Sequence, residues 1–290
     1  MKRRTFHGEA AGRVDAAVAR GLSVAEVEAR KLVAAGAVYV GGRRVRDAGT
    51  RVEVGATITV VLEEGGRAVT EQAAPAPPLT ILYEDAHVIA VDKPAGVTAQ
   101  PTPGRSGDSL VDLVSARLGH EAGLVHRLDK ETSGVTIFGK HEKATTRLAA
   151  AFREGRAKKQ YLALTSPGLP TDGRIALPLS KDPARPGRWR ASAQANGVPA
   201  ETEYTRLADG PVCLVALFPR TGRTHQLRAH LAALGHPIVG DRLYGGPEGP
   251  RCLLHAWKLD VDGLELVAPV PPDLVQALAS AFPGQAVVPR

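Results

Sequence analysis

Cysteine is nearly absent from this chain: Cys213 and Cys252 are the only two in 290 residues, and they form no Cys-x-x-Cys arrangement. A disulfide framework and a thiolate metal site are thereby excluded. No apolar stretch approaches the roughly 18 residues of a membrane span. The TFHGEAAGR that follows Met1-Lys2-Arg3-Arg4 also lacks the apolar run of a secretion signal. A soluble chain in a reducing cytoplasm is expected, with no membrane association. Histidine-based metal motifs are missing as well. The nine histidines include no His-Glu-x-x-His pair, and His225 and His230, five apart, do not stack on one helix face. No metal is expected.

What is present is positive charge, 37 Lys and Arg against 30 Asp and Glu, for a net +7. Its distribution says more than its sum. Lys140, Lys143, Arg147, Arg153, Arg156, Lys158 and Lys159 fall within one short stretch opposed only by Glu142 and Glu154. Such a surface suits a polyanion, although a solvated helix face would read the same way.

Periodicity vanishes in EEGGRAVTEQAAPAPP, where Gly, Ala and Pro accumulate as in a linker. The chain is therefore divided into a small module at 1–62, a flexible linker at 63–78 and a body at 79–290. In the front module, Val14, Ala17 and Val18 and then Val24, Val27, Leu32 and Val33 fit two short helices parted at Gly21-Leu22-Ser23, with Ser23 an N-cap. AVYVGGRRV turns at Gly41-Gly42, and VGATITVVL alternates into a strand. In the body, strands are expected around the Glu84-Asp85-Ala86 turn and at VTIF, QYLAL, ETEYTRL and VCLVALF. Helices are expected at HEKATTRLAAAF, THQLRAHLAAL and PPDLVQALASAF. Hairpin-linked strands with a few helices indicate an α+β fold whose sheet is mixed and mainly antiparallel, not a wound parallel sheet.

The most informative run is HRLDKETSGV at 126–135, which sets Asp129 between Arg127 and Lys130 ahead of a Ser133-Gly134 turn. Flanking cations favour the ionised carboxylate, so Asp129 suits a nucleophile or base better than an acid. A strand, a charged turn and a strand, with His126 a satisfied core histidine, is the plainer reading. The run resembles the HRLDxxTSG hallmark of the RluA-type pseudouridine synthases, RNA enzymes that rotate a uracil on its ribose. DKPAGV, KKQYLAL and RTGRTHQLRAHLAALGHPIVGDRLYG resemble further segments of that family in the same order. Residues 12–62 resemble the small RNA-binding module named after ribosomal protein S-four, through Arg13-Val14-Asp15, Gly36–Gly42 and Gly55–Val60. Two positions depart from its pattern, Gly41 for the usual Asn and Ser23-Val24-Ala25 for Ser-Arg-Ser.

The resemblance implies a pseudouridine synthase catalytic domain preceded by an RNA-docking module, acting on RNA, expected to be large-subunit ribosomal RNA with transfer RNA the alternative. It implies no cofactor, and a monomer is the default expectation. Asp129 would attack the anomeric carbon or remove the neighbouring ribose proton; Arg223 would pair with it; Tyr161 would lie against the target base. Arg127 would fill the gap left by the flipped nucleotide. Arg13, Lys140, Lys158 and Arg228 complete the expected RNA contacts. A helix starting near Thr224, with Leu227, Leu231 and Leu234 as its buried stripe, would leave its N-terminus open to an anion, and Arg220 or Arg228 could serve such a phosphate. Two other classes stand beside this reading. A nucleoside or glycoside hydrolase would need a second carboxylate, for which Glu131 and Glu121 are candidates, and a noncatalytic RNA-binding or ribosome-assembly protein would need none.

Overall fold

The structure, a computed structural model, describes residues 2–62, 78–101, 109–194, 196–285 and 287. The expected linker at 63–78 therefore lies, apart from Pro78, outside the described residues. Two compact units share the chain, one comprising Met1–Pro77 with Gln100–Leu113 and the other Pro78–Ala99 with Val114–Arg290.

The first unit runs β1 (Lys2–His7), β2 (Gly12–Arg13), α1 (Val14–Leu22), α2 (Glu26–Ala34), β3 (Val38–Val40), β4 (Arg43–Val45), β5 (Arg51–Val52) and β6 (Thr57–Leu62). Four strands form an antiparallel sheet in the order β1-β6-β3-β4. Val14, Val18, Leu32 and Val33 of the helices bury against Ile58 and Val60. Gly41 and Gly42 both have left-handed φ, 57° and 82°, which fits the two-residue hairpin joining β3 to β4. Ser23 does not cap α2. It takes φ 56° and closes the C-terminus of α1, its N–H donating to the Arg20 carbonyl. Gly21 stays within α1, where the Phe6 ring fills the space a Cβ would take.

The second unit contains β7 (Thr80–Glu84), β8 (Val88–Lys93), α3 (Leu110–Leu118, which begins in the first unit), β9 (Gly123–Leu124), β10 (Ser133–Gly139), α4 (Glu142–Arg153) and β11 (Ala157–Thr165). It continues with β12 (Asp172–Ile175), β13 (Leu179–Lys181), β14 (Trp189–Ala191), β15 (Thr202–Ala208), β16 (Cys213–Pro219), α5 (Gln226–Ala233), β17 (Leu254–Val261), β18 (Leu264–Val267) and α6 (Pro272–Ala281). Ten strands make one sheet, ordered β12-β15-β16-β11-β17-β10-β8-β7, with β18 on β17 and β9 on β10. Its described pairings are antiparallel except β10 with β17, so the α+β, mainly antiparallel class holds. The Leu162–Leu164 end of β11 and most of β16 read as apolar runs because both faces are covered there. Ala163, Val215 and Leu217 face Leu227 and Leu231 of α5, while Leu162, Leu164 and Leu214 face Leu274 and Leu278 of α6. Among the described residues no helix is long and apolar enough to cross a membrane.

Three local expectations shift. Helix α5 begins at Gln226 and not near Thr224, and Leu234, 39% exposed, lies past its end. The α3 helix and the short β13–β14 hairpin were not anticipated. Finally, Ser133-Gly134 is not a turn: the pair opens β10 and makes the parallel register Ser133↔His255, Gly134↔Ala256. The turn lies earlier, closed by the Thr132 N–H on the Asp129 carbonyl at 3.1 Å. Gly134 has φ 115°, and a Cβ there would overlap the Ala256 backbone. Gly134→Ala should therefore destabilise the fold by about 3 kcal/mol or more, a consequence of overpacking added to backbone strain. Urea unfolding checks this, and a loss below about 1 kcal/mol would mean that the two strands separate easily.

Candidate active site

The turn that carries Asp129 is held by its own carbonyls. Lys130 O accepts from Gly96 N at 2.8 Å and from Lys93 Nζ at 3.0 Å. The next carbonyl, that of Glu131, accepts from Arg251 Nη1 at 3.1 Å. Lys93 closes β8 and is fully buried, and its ammonium also donates to Pro94 O and Val97 O at 3.0 and 2.8 Å. Burial pulls its pKa down to about 7, against the negative charges of Glu131 and Asp129. Arg251, its side chain 7% exposed, forks onto Asp273 at the start of α6 at 2.6 and 2.9 Å and also reaches Ser133 Oγ at 3.3 Å. Upstream, His126 fixes the approach to the turn: its Nε2 accepts from Ile137 N, and its ring lies on Phe152 at 4.5 Å. Burial, with Lys159 nearby, lowers its pKa to about 3, so it is the neutral core histidine of the plainer reading.

Above this base the Asp129 side chain remains 26% exposed. Its ion-pair partner is Arg228, with Nη1 at 3.5 Å from Oδ2, and His225 Nε2 lies 4.0 Å from the same oxygen. The expected pairing with Arg223 is thus corrected. Gln226 explains the difference, because its Oε1 accepts from Thr221 Oγ1 and Arg223 N, and its Nε2 donates to Glu201 O. The side chain thereby straps the TGRT loop down before the helix starts. Arg223 Nε then donates to the Pro199 carbonyl at 3.2 Å. Nor is Arg228 an exposed phosphate contact: it is buried and forked onto Asp241 at 2.7 and 2.8 Å, with Asp241 itself 1% exposed.

Tyr161 lies on β11 beside a register shift at Gln160/Tyr161 and packs on the α5-facing core. Burial, and then the negative charge of Asp129, push its phenol above the ordinary tyrosine range. The structure thus brings Asp129, Tyr161 and Arg228 together and leaves Arg223 outside. Of the other expected contacts, Arg127 is exposed, with Nη2 3.4 Å from Thr224 Oγ1, and Lys158 is exposed on β11. Lys140 is engaged with Glu84 and the Asp85 carbonyl. In the first unit, Arg13 forks onto Asp15 while the rest of its side chain stays exposed. The sequence reading missed Lys93 and Arg251, and it assigned no chemical role to Asp241 or Tyr244. DKPAGV offered the one available signal, a lysine between a strand and a Pro-Gly turn.

Comparison with known proteins identifies the family. The sequence profile of RNA pseudouridylate synthase matches residues 87–233, and that of the S4 domain matches 12–58. The chain is 39% identical to the ribosomal large subunit pseudouridine synthase D of Xylella fastidiosa, over 70% of this chain and 69% of that protein. It is 42% identical to the dual-specificity RNA pseudouridine synthase RluA of Escherichia coli, over 64% of this chain and 87% of the relative. Among solved structures, human RNA pseudouridylate synthase domain containing 1 superposes with a TM-score of 0.59 at 28% identity, covering 70% of this chain and 89% of that one.

Lys93 makes the base of the site sensitive to pH. In the unfolded chain its amine titrates at the ordinary 10.5, and in the fold at about 7. Between these values the unfolded state binds more protons, so this group makes stability rise as pH increases through that window. Lys93→Met should abolish that rise and, by leaving buried carbonyls short of a donor, cost about 2 kcal/mol near neutral pH. Urea unfolding of both proteins at neutral and mildly alkaline pH measures it, and an unchanged slope in the variant would place the titration elsewhere.

Proposed function

The chain belongs to the RNA pseudouridylate synthases, an isomerase family, and we propose that its Asp129 acts on the ribose of uridines in large-subunit ribosomal RNA. The observation that carries the catalytic part is one partly exposed carboxylate beside Arg228, near enough for its charge to act on the Tyr161 phenol, on a turn held from below. The reaction breaks the bond between the anomeric carbon and uracil N1, turns the base within the pocket, joins C5 to the same carbon and moves the C5 proton away as N1 regains one. Asp129 starts this sequence by attacking the anomeric carbon or by taking the adjacent ribose proton. Arg228 keeps the carboxylate ionised and aimed, a positional contribution more than a stabilising one. Tyr161 offers its ring face to the flipped base.

The carboxylate linked to Asp129 through Arg228 does not supply the second group a hydrolase needs. The carboxylate that shares Arg228 with Asp129 is Asp241, which is buried and spent on both guanidinium donors, so it cannot serve as an acid or base for water. Ribosomal RNA as the substrate rests on the S4 module and on the relative that acts on the large subunit. Exposed Arg127 and Lys158 are suited to its phosphates.

Asp129→Asn should abolish pseudouridine formation while leaving RNA affinity within about threefold. The RNA should keep its mass in the wild-type reaction, whereas release of free uracil would indicate hydrolysis. Arg228→Gln should slow the single-turnover step by about a hundredfold, and Arg223→Gln by less than about threefold. The reverse ranking would restore Arg223 as the partner. Pseudouridine maps of total RNA from cells with and without this chain test the substrate, and sites lost only from transfer RNA would overturn the ribosomal assignment.

A further inference from the structure

His225 occupies the strained position at the start of α5. Its φ is 56°, a left-handed conformation that a residue with a Cβ rarely adopts, and it caps nothing with its side chain. Strain of this kind persists where surrounding contacts over-determine it and is concentrated at functional sites. The contacts here are specific. His225 Nδ1 lies 3.2 Å from Tyr244 Oη, with the two rings edge to face at 5.8 Å, and Nε2 points to Asp129 Oδ2.

The far side of Tyr244 biases the tautomer. Its oxygen already accepts the Trp189 N–H at 3.0 Å, from the β14 strand of the small hairpin. Burial raises the phenol to about 12 even with the Arg228 and Arg188 guanidiniums over its ring, so the hydroxyl keeps its proton at neutral pH. That proton is left for His225 Nδ1. Burial likewise pulls the imidazole below its ordinary value, ahead of the opposing influence of Asp129 and the effects of Arg228 and Asp241. A neutral ring that accepts at Nδ1 must carry its hydrogen on Nε2, on the side of Asp129.

We infer that His225 is a positioning residue for the reaction, a neutral Nε2–H donor that engages Asp129 Oδ2 together with Arg228 and leaves Oδ1 as the oxygen that meets the substrate. The inference rests on the proposed role of Asp129. The 4.0 Å gap closes by a small shift or through one water when RNA fills the site, since catalytic hydrogen bonds of free enzymes are commonly long. The β13–β14 hairpin thereby acquires a purpose: through the Trp189 backbone it fixes the phenol, the phenol biases the tautomer, and the tautomer sets which carboxylate oxygen is free.

The test compares single-turnover rates and RNA affinities of full-length His225→Asn, His225→Gln, Tyr244→Phe and Asp129→Asn on a prefolded RNA. Asparagine tolerates the left-handed backbone but falls short of Asp129, whereas the glutamine amide nitrogen reaches the place of Nε2. His225→Asn should lower the rate about tenfold or more with affinity kept within about twofold, and His225→Gln should recover most of the loss. Imidazole nitrogen NMR of the wild type should show Nε2 protonated and Nδ1 bare, and Tyr244→Phe should mix the tautomers. Wild-type rates in His225→Asn, no recovery in His225→Gln, or an Nδ1-protonated ring would each overturn the inference while the Asp129 reading stands. Full activity in Asp129→Asn would instead remove the reading on which it rests.

Discussion

Two buried basic side chains on consecutive backbone carbonyls are the constraint on which this site depends. Lys93 and Arg251 reach Lys130 O and Glu131 O from either side of the turn in the sequence, and the Asp129–Thr132 turn is closed between them. Bringing such charges out of water is costly, and the cost is offset only when nearly every donor finds an acceptor. Lys93 meets three carbonyls, and Arg251 meets the Asp273 carboxylate, Ser133 Oγ and the carbonyls of Glu131, Cys252 and Leu254. The parallel pairing of β10 with β17 makes this geometry available, because it sets Ser133 beside His255. That pairing in turn requires Gly134, where the two backbones approach too closely for a side chain. A loop with no regular structure of its own thus gains the rigidity that a reacting carboxylate needs.

Above the clamp, charge is distributed unequally. The Arg228 fork is spent on Asp241 at 2.7 and 2.8 Å, so Asp129 receives a single, longer contact at 3.5 Å. A carboxylate held bidentately would be fixed but poorly available. One held loosely beside a cation stays ionised and free to move by the fraction of an ångström that chemistry requires. Asp241 therefore acts through Arg228, by orienting a guanidinium whose own burial would otherwise disfavour its charge.

Much of this was legible in the sequence where residues act close to their neighbours in the chain. Asp129 stood out because its motif is contiguous, and Tyr161 because it lies in a strand of the same resemblance. The antiparallel class followed from hairpin punctuation such as Gly41-Gly42. Arg228 was misplaced because TGRTHQLRAH holds two candidate arginines, and the choice depends on where the helix begins. That start is set by Gln226, bonded to Thr221, Glu201 and Thr202, and by the left-handed His225. Neither is a periodic signal. Lys93 and Arg251 were missed for a different reason. Apart from the DKPAGV signal at Lys93, what sets them apart is their reach to backbone atoms 37 and 120 residues away. The β13–β14 strands, three residues each, are too short for alternation to register.

Amide hydrogen exchange at Gly96 and Thr132, whose N–H groups donate to Lys130 O and Asp129 O, tests the rigid turn most directly. Read alongside single-turnover rates, it compares the wild type with Arg251→Gln. The account predicts that both amides of the wild type exchange only through global unfolding, and that Arg251→Gln opens them locally while its rate falls in parallel. Rapid local exchange in a fully active wild type, or an opened turn in a variant that retains full activity, would contradict it.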